Sequence, residues 1–215
     1  VRYPTAGNAY SEEEAQPFYV NAPFGIVLVH NGNLTNAHAL KSELFSTDHR
    51  HINTESDSEV LLNVLAHEIE RTTRGLPLQP DDLFAAVRNV HRRVKGSYAV
   101  IALIAGHGVL AFRDPFGIRP LCMGRGDGTV MLASESVALE GTSHTFERNI
   151  SPGEAVFIDL QGKVYSQQCA DHPVLKPCIF EFVYLARPDS VMDTISVYQA
   201  RLHLGETRAK RVISP

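Results

Sequence analysis

The sequence lacks the features of several protein classes. It has only three cysteines, Cys122, Cys169 and Cys178, at unrelated spacings. An odd number of scattered cysteines does not suggest a disulfide framework and favours a reducing compartment. The longest uninterrupted apolar run, Tyr98 to Ala105, has eight residues, whereas a membrane helix needs about 20. We therefore expect a cytoplasmic protein without a membrane segment.

A basic surface is missing as well. The 20 lysines and arginines are outnumbered by 24 acidic residues, and the net charge is −4. A nucleic-acid binder needs concentrated positive charge, so we expect no nucleic-acid partner. No serine lies in the glycine pattern of a nucleophile elbow, and no glycine-rich phosphate loop is present. His49 and His51 lie close in sequence without a cysteine pair nearby, so we expect this chain to bind no metal.

The two ends are unusual. The chain begins with Val1 rather than methionine, opens directly on Arg2, and stops at Pro215, shortly after a charged, helix-like stretch. Both ends read as cut, so we expect a fragment of a longer protein.

What is present indicates a globular domain with helices before strands. The apolar fraction is 44% and the charged fraction 20%, which is typical of a folded core. A helix is predicted over Thr35 to Phe45. The Ser56–Glu59 stretch predicts a capping box that opens a second helix, and a third is predicted over Asp82 to Lys95, ended by Gly96. The second helix has an apolar face consisting of Leu61, Leu62, Leu65 and Ile69.

The middle of the chain alternates apolar runs with turn signals, which predicts antiparallel strands. Helices followed by such strands indicate an α+β fold in which helices cover a sheet. The predicted strands are Ser97 to Ala105, Val109 to Arg113, Leu121 to Gly124, Thr129 to Ser134, Glu154 to Leu160 and Lys163 to Gln168.

The pattern of apolar and polar residues changes again near the end of the chain. Asp171 to Pro177 contains two prolines and reads as a domain boundary, which divides the chain into residues 1–176 and 177–215. Ile179 to Leu185 is an apolar run that predicts a strand. Ser196 to Gln199 has a capping signature and opens a charged helix that runs toward Val212.

Asn31 and Gly32 are the first candidate site. They follow a predicted buried strand, Phe24 to His30, and read as a sharp break before the first helix. One interpretation is a tight turn, which Asn-Gly forms readily. The other is an oxyanion hole, in which a side-chain amide and an adjacent backbone N–H point at one developing negative charge.

Two charged residues allow similar pairs of interpretations. Asp57 is either a first-turn charge that suits the helix dipole or a rigid partner for a substrate ammonium group. Arg2 is either a surface charge or a clamp for a substrate carboxylate. Together with Asn31 and Gly32 they would describe a site for an α-amino acid whose side-chain carbonyl reacts.

The remaining polar motif, Arg113 to Pro120, is dense in turn formers and charge. We interpret it as a structural loop held by salt bridges rather than as a catalytic loop. Cys122 lies in a predicted strand and Cys178 beside one, and we interpret both as small core residues.

Taken together, these stretches resemble the glutamine phosphoribosylpyrophosphate amidotransferases, over nearly the whole chain and in the expected order. The HNG, SDSE and RDP-G-PL patterns occur in class II glutamine amidotransferases generally. RYPTAG and the ARPDS and ISVY motifs narrow the resemblance to the phosphoribosyl enzymes. The motifs are RYPTAG at Arg2–Gly7, VHNGNLTNA at Val29–Ala37, SDSE at Ser56–Glu59, FRDPFGIRPL at Phe112–Leu121, ASES at Ala133–Ser136, and ARPDS followed by ISVY between Ala186 and Tyr198.

The resemblance implies a four-layer αββα sandwich of the N-terminal-nucleophile hydrolase type, incomplete here, followed by the start of a phosphoribosyltransferase domain. It implies that Asn31 and Gly32 form the oxyanion hole, that Arg2 and Asp57 bind the carboxylate and ammonium groups of glutamine, and that Thr5 lines the pocket. The parent enzyme would transfer ammonia from glutamine to phosphoribosyl pyrophosphate, with magnesium in its second half. We expect a homo-oligomer.

Two departures from the family pattern bear on activity. The family's nucleophile is an N-terminal cysteine, and position 1 here is valine; most of the phosphoribosyltransferase domain is also missing. We therefore expect this chain alone to be inactive, and we predict no iron–sulfur cluster from Cys178. Two alternatives stay open: another class II amidotransferase, making glucosamine phosphate or asparagine, or a degenerate, non-catalytic glutaminase-like binding domain. Against the first, the glucosamine enzymes have histidine where Ala6 stands.

Overall fold

A computed structural model describes residues 12–73 and 77–212. Five helices and eleven strands occur in these residues, with a short 3₁₀ turn at Glu12–Glu14 and a π-helical turn at Glu181–Leu185. The helices are α1 Ala37–Ser46, α2 Asp57–Thr72, α3 Pro80–Arg93, α4 Ser136–Glu140 and α5 Val197–Val212. The strands are β1 Phe18–Val20, β2 Ile26–Leu34, β3 Gly96–Ile104, β4 Gly108–Arg113, β5 Cys122–Gly126, β6 Thr129–Ala133, β7 Thr145–Asn149, β8 Glu154–Asp159, β9 Val164–Gln168, β10 Val191–Met192 and β11 Ile195–Ser196.

The first sheet carries helices on one face. Its strands run in the order β1-β2-β3-β4-β8-β9, and every neighbouring pair is antiparallel. The predicted face of α2 is confirmed, because Leu61, Leu62, Leu65 and Ile69 are all fully buried. They belong to the main core, together with side chains of α1, α3 and alternate residues of β2, β3 and β4.

The other face of the first sheet packs on a second, smaller sheet with the order β6-β5-β7. A separate apolar cluster fills the space between the sheets and includes Ala99, Ala111, Met123 and Val156. A third cluster joins the second sheet to Leu139 of α4. The described residues therefore form helix, sheet, sheet and helix layers, with α4 as the only described helix on the outer side of the second sheet. This arrangement agrees with the expected αββα class.

The structure corrects the predicted break at Asn31-Gly32. Strand β2 runs without interruption through both residues to Leu34, and it pairs with β3 along its whole length, Gly32 opposite Tyr98 and Leu34 opposite Gly96. Gly96 likewise begins β3 with φ of +128° instead of ending α3. In both places two backbones pass so close together that only glycine fits. In the sequence alone, a glycine that is required for this reason cannot be told from a glycine in a turn.

The C-terminal segment, residues 177–212, differs from the predicted strand and helix in one respect. Helix α5 is confirmed, with Ser196 Oγ accepting a hydrogen bond from Gln199 N. Ile179 to Leu185 is helical, however, and its last five residues form the π-helical turn. Some of its apolar side chains pack in a small cluster with α5, and the others are exposed to solvent. A short apolar run in a sequence does not distinguish such a half-buried helix from a strand.

In the described residues, no helix combines the length and apolarity needed to cross a bilayer. The same residues contain no group of three or more His, Cys, Asp or Glu side chains suited to a metal ion.

Candidate active site

The C-terminal half of β2 and the N-terminus of α2 are joined by hydrogen bonds between buried polar groups. Leu34 N donates to Asp57 Oδ2 at 2.9 Å, and His30 Nδ1 lies 3.0 Å from Ser58 Oγ. The HNG and SDSE motifs, separated by more than twenty residues in sequence, are therefore adjacent in space. We call this region the β2–α2 junction.

His30 is held in one tautomer by its neighbours. Its Nε2 lies 3.3 Å from Ser97 O, and because a carbonyl oxygen only accepts, Nε2 carries the proton. Burial lowers the pKa of His30, although the negative charge of Asp57 opposes this, so the ring is neutral near pH 7. Nδ1 then accepts from the Ser58 hydroxyl, whose oxygen accepts in turn from Gln16 Nε2 at 3.2 Å.

Gln16 completes this network by binding the backbone on both sides of His30. Its Oε1 accepts from His30 N at 2.6 Å, and its Nε2 donates to His30 O at 2.8 Å. The amide of Gln16 therefore pairs with the strand as a neighbouring strand would. The backbone immediately before Asn31 is fixed by this contact.

The start of α2 is fixed in a different way from a simple capping box. Ser56 Oγ accepts from Ser58 N at 3.3 Å, as an N-cap does. Glu59 does not reach back to Ser56; its carboxylate accepts four hydrogen bonds from the backbone and side chains of Asn53 and Thr54. Burial raises the pKa of Glu59, but the bonds from Thr54 and Asn53 outweigh it and lower the pKa overall. Glu59 thus braces the loop that leads into the site.

Asp57 is 5% exposed, and within residues 12–73 and 77–212 no lysine or arginine forms an ion pair with it. Its described partner is the neutral N–H of Leu34. A buried carboxylate without a cationic partner is costly. Among the residues that the structure describes, no cationic side chain compensates this negative charge, and an ammonium group would do so.

Gly32 lies where β2 passes closest to β3. A Cβ on Gly32 would overlap the carbonyl of Ser97 and would lie 2.6 Å from His30 Nε2. The neighbouring Asn31 is exposed and pairs with Ala99, so its side chain lies on the face of the first sheet that is opposite His30. An exposed amide beside a backbone stretch that admits no side chain is the arrangement that an oxyanion hole needs.

The structure thus brings three of the five sequence-predicted site residues, Asn31, Gly32 and Asp57, to one junction. The other two, Arg2 and Thr5, lie outside the described residues. Sequence reasoning missed Gln16 and Ser58 as members of the site. A polar residue in the otherwise apolar strand, His30, was a signal that a polar partner had to be buried with it.

The cysteines lie away from the junction. Cys122 and Cys169 are buried, and burial raises the pKa of each thiol to about 11. The interpretation of Cys122 as a core residue is confirmed, whereas Cys178 is half-buried beside the helical residues 179–185. A protonated, buried thiol is a poor nucleophile.

Comparison with known proteins agrees with this geometry. A model of the glutamine amidotransferase domain matches residues 6–141. Amidophosphoribosyltransferase of Haemophilus influenzae is 55% identical over 99% of this chain and 42% of that protein, and that of Escherichia coli is 53% identical over 99% and 43%. The chain thus spans less than half the length of these curated relatives.

A solved structure gives the same result for the fold. The glutamine phosphoribosylpyrophosphate amidotransferase of B. subtilis, complexed with ADP and GMP, superposes with a TM-score of 0.80 at 32% identity, covering 98% of this chain and 43% of that one. The layers described above are accordingly those of an N-terminal-nucleophile hydrolase. The matched domain model covers more than half of the chain and includes the whole β2–α2 junction. The chain therefore belongs to the glutamine amidotransferase domain family.

Proposed function

We propose that this chain is the glutamine-hydrolysing part of an amidophosphoribosyltransferase. The observation that carries the proposal is the β2–α2 junction, where Asn31 is exposed beside Gly32, and the backbone there is held by Gln16 and by Ser97. Such a rigid, close-approach surface suits the stabilisation of a negative oxygen formed during amide hydrolysis. In this proposal the Asn31 side chain and the Gly32 backbone form the oxyanion hole.

The other end of the substrate would be held by charge. The carboxylate of Asp57, with which no lysine or arginine in the described part of the chain pairs, suits the α-ammonium group of glutamine; Arg2 would bind the α-carboxylate, and Thr5 would line the pocket. Both charged groups are needed to distinguish an amino acid from a simple amide. This division of roles follows the family resemblance and the position of Asp57 beside Leu34.

The nucleophile of the proposed reaction is a cysteine thiol outside these 215 residues. Cys122 and Cys169 are buried, with thiol pKa values of about 11, and Cys178 lies in the C-terminal segment. A polypeptide of these residues alone is therefore expected to bind glutamine without hydrolysing it. The full-length protein would supply the thiol next to Asn31.

The released ammonia would react with phosphoribosyl pyrophosphate in the remainder of the full-length protein, displacing pyrophosphate. Residues 1–176 are proposed as the glutaminase domain and residues 177–215 as the first elements of the phosphoribosyltransferase domain. Magnesium would be held with the phosphoribosyl substrate in that second domain.

The test is Asn31→Ala in the full-length protein. Loss of one oxyanion donor lowers turnover by about 10²–10³-fold, so glutamine-dependent synthesis should fall by that factor. Ammonia-dependent synthesis should be retained, because added ammonia bypasses the site. Asn21→Ala removes an exposed amide at the far end of the same sheet and serves as the matched control.

Equal loss of both activities in Asn31→Ala would mean that Asn31 is structural and would contradict the proposal. If the unaltered protein binds glutamine but releases no ammonia, the non-catalytic binding domain is the correct reading. Ammonia transfer to a different acceptor would favour another class II amidotransferase.

A further inference from the structure

The loop between β4 and β5, residues 113–120, makes polar contacts with the C-terminal segment, as do Glu135 and Ser136. Three alternate backbone N–H groups of the approaching chain, those of Val174, Lys176 and Cys178, donate to carbonyl groups of this loop at 2.7–3.0 Å. The incoming chain therefore pairs with the loop almost as a strand. We call residues 113–120 the clasp loop.

Arg113 fixes the clasp loop to the C-terminal segment. Its side chain is 1% exposed and binds both carboxylate oxygens of Asp193, at 2.8 and 2.7 Å. The same guanidinium donates to the carbonyls of Gly117, Arg119 and Ile150. The expectation of a salt-bridged structural loop is confirmed, but the partner of the salt bridge lies eighty residues away, on the segment 177–212.

A second ion pair reinforces the first. Arg119 Nη1 lies 2.7 Å from Glu181 Oε1, and both side chains are largely buried. Two largely buried ion pairs therefore join the clasp loop to the C-terminal segment.

Asp114 connects the clasp loop to the strand that supports the site. Asp114 N donates to Tyr98 O at 2.8 Å, and Asp114 Oδ2 accepts from Tyr98 N at 3.2 Å. Ser97, which precedes Tyr98 on β3, contacts the site directly. Its Oγ accepts from Asn33 N at 3.1 Å and its carbonyl accepts from His30. Ser97 O is also the atom that a side chain at Gly32 would overlap.

We propose that Arg113 and Asp114 are positioning residues for the oxyanion hole, and that Asp193 holds them in place through its ion pair with Arg113. The inference rests on the proposed function. Without the carboxylate of Asp193, the clasp loop would be free to shift, Asp114 would move with it, and the Tyr98–Ser97 backbone would no longer hold Asn33 and Gly32 at one position.

The test uses Asp193→Asn in the full-length protein. Asp193 has a positive φ of 47°, which asparagine tolerates well, so the substitution removes the charge without straining the backbone. We expect kcat for glutamine hydrolysis to fall about 3- to 30-fold, the range of remote coupling effects, with KM for glutamine nearly unchanged. Ammonia-dependent synthesis should be retained.

The matched control is Glu68→Gln. Glu68 of α2 forms a largely buried ion pair with Arg93 of α3, at 2.7 Å. That pair has no described contact with the clasp loop, with the segment 177–212 or with Ser97. Its loss should lower thermal stability without a specific fall in kcat for glutamine.

A double variant separates coupling from general damage. Ser97→Ala removes the acceptor for Asn33 N and should itself lower kcat. If Asp193 acts through Ser97, the double variant loses less than the product of the two single losses, whereas independent effects multiply. If Asp193→Asn does not fold, Glu181→Gln tests the second ion pair in the same cycle.

Three results would overturn the inference: an unchanged kcat in Asp193→Asn, a parallel loss of both activities, or multiplied losses in the double variant. These are distinguishable from failure of the proposed function, which would appear as an unaltered protein that does not hydrolyse glutamine. A glutaminase-active protein that is insensitive to Asp193→Asn refutes only the coupling.

Discussion

The β2–α2 junction and the clasp loop are both buried and polar, but they satisfy their polar groups in different ways. The junction uses neutral groups, an amide, a hydroxyl and an imidazole, around one carboxylate that lacks a described cationic partner. The clasp loop uses a buried guanidinium whose hydrogen bonds go to a carboxylate and three carbonyls. The first arrangement leaves a charge for a ligand, whereas the second leaves none.

This difference separates binding from support. A site that recognises an amino acid needs charge that the protein has not already compensated, and within residues 12–73 and 77–212 no lysine or arginine pairs with Asp57. A structural joint needs its charges compensated internally, and Arg113 and Asp193 achieve this at a buried position where an unpaired ion would be costly. Asp114 and Ser97 lie between the two regions, which is why a disturbance of one is expected to reach the other.

The largest effect should come from breaking the junction with a side chain at Gly32. Gly32→Ala places a methyl group against Ser97 O and near His30. Because backbone atoms cannot move aside as a flexible side chain can, we expect a loss of roughly 3–5 kcal/mol in the free energy of unfolding. Urea unfolding of the full-length protein measures this.

Gly106→Ala is the control for that substitution. Gly106 also has a positive φ, of 77°, but nothing lies within 4 Å of a Cβ placed there. Backbone strain alone should cost about 1–2 kcal/mol. Equal losses at the two glycines would mean that the contact of β2 with β3 is looser than the structure indicates.

Acid should affect a buried, neutral histidine but not the buried guanidinium of Arg113. His91 binds the Tyr98 hydroxyl and Gly153 O, and burial lowers its pKa to about 4, although the bond to Gly153 opposes this. A histidine with a lowered pKa in the folded state is protonated first in the unfolded state. Stability is thus complete above pH 6.5 and is lost as the pH falls toward 4, by about 3 kcal/mol from His91, whereas arginine keeps its charge throughout.

The measurement is urea unfolding across that pH range, with His91→Gln compared with the unaltered protein. The variant should show a shallower loss between pH 6.5 and 4. His38→Gln, at an exposed position of α1, should leave the slope unchanged. A slope that His91→Gln does not alter would assign the acid sensitivity to other groups, His30 first among them.

The sequence was most informative where structure is local. Helix α2 was predicted because its N-cap and its apolar face lie within one continuous stretch, and α3 because its apolar residues repeat at helical spacing. The path of β2 through Asn31-Gly32 was mispredicted because the reason for Gly32 is the Ser97 carbonyl, a residue far away in sequence. The roles of Gln16 and of Asp193 were invisible for the same reason: each depends on a partner that only the folded chain brings near.

The last prediction tests the negative charge of Asp57 through Asp57→Asn. The asparagine carbonyl can still accept the hydrogen bond from Leu34 N, so the fold should be retained while the charge is lost. A hydrogen bond to a charged group contributes about 1.5–3 kcal/mol, and KM for glutamine should therefore rise about 10- to 100-fold. A glutamine analogue without the α-amino group should be a poor substrate of the unaltered protein and should lose little further in the variant. If Asp57→Asn still discriminates fully against that analogue, Asp57 is only the buried acceptor of the Leu34 N–H. The junction would then be a structural joint, as the clasp loop is.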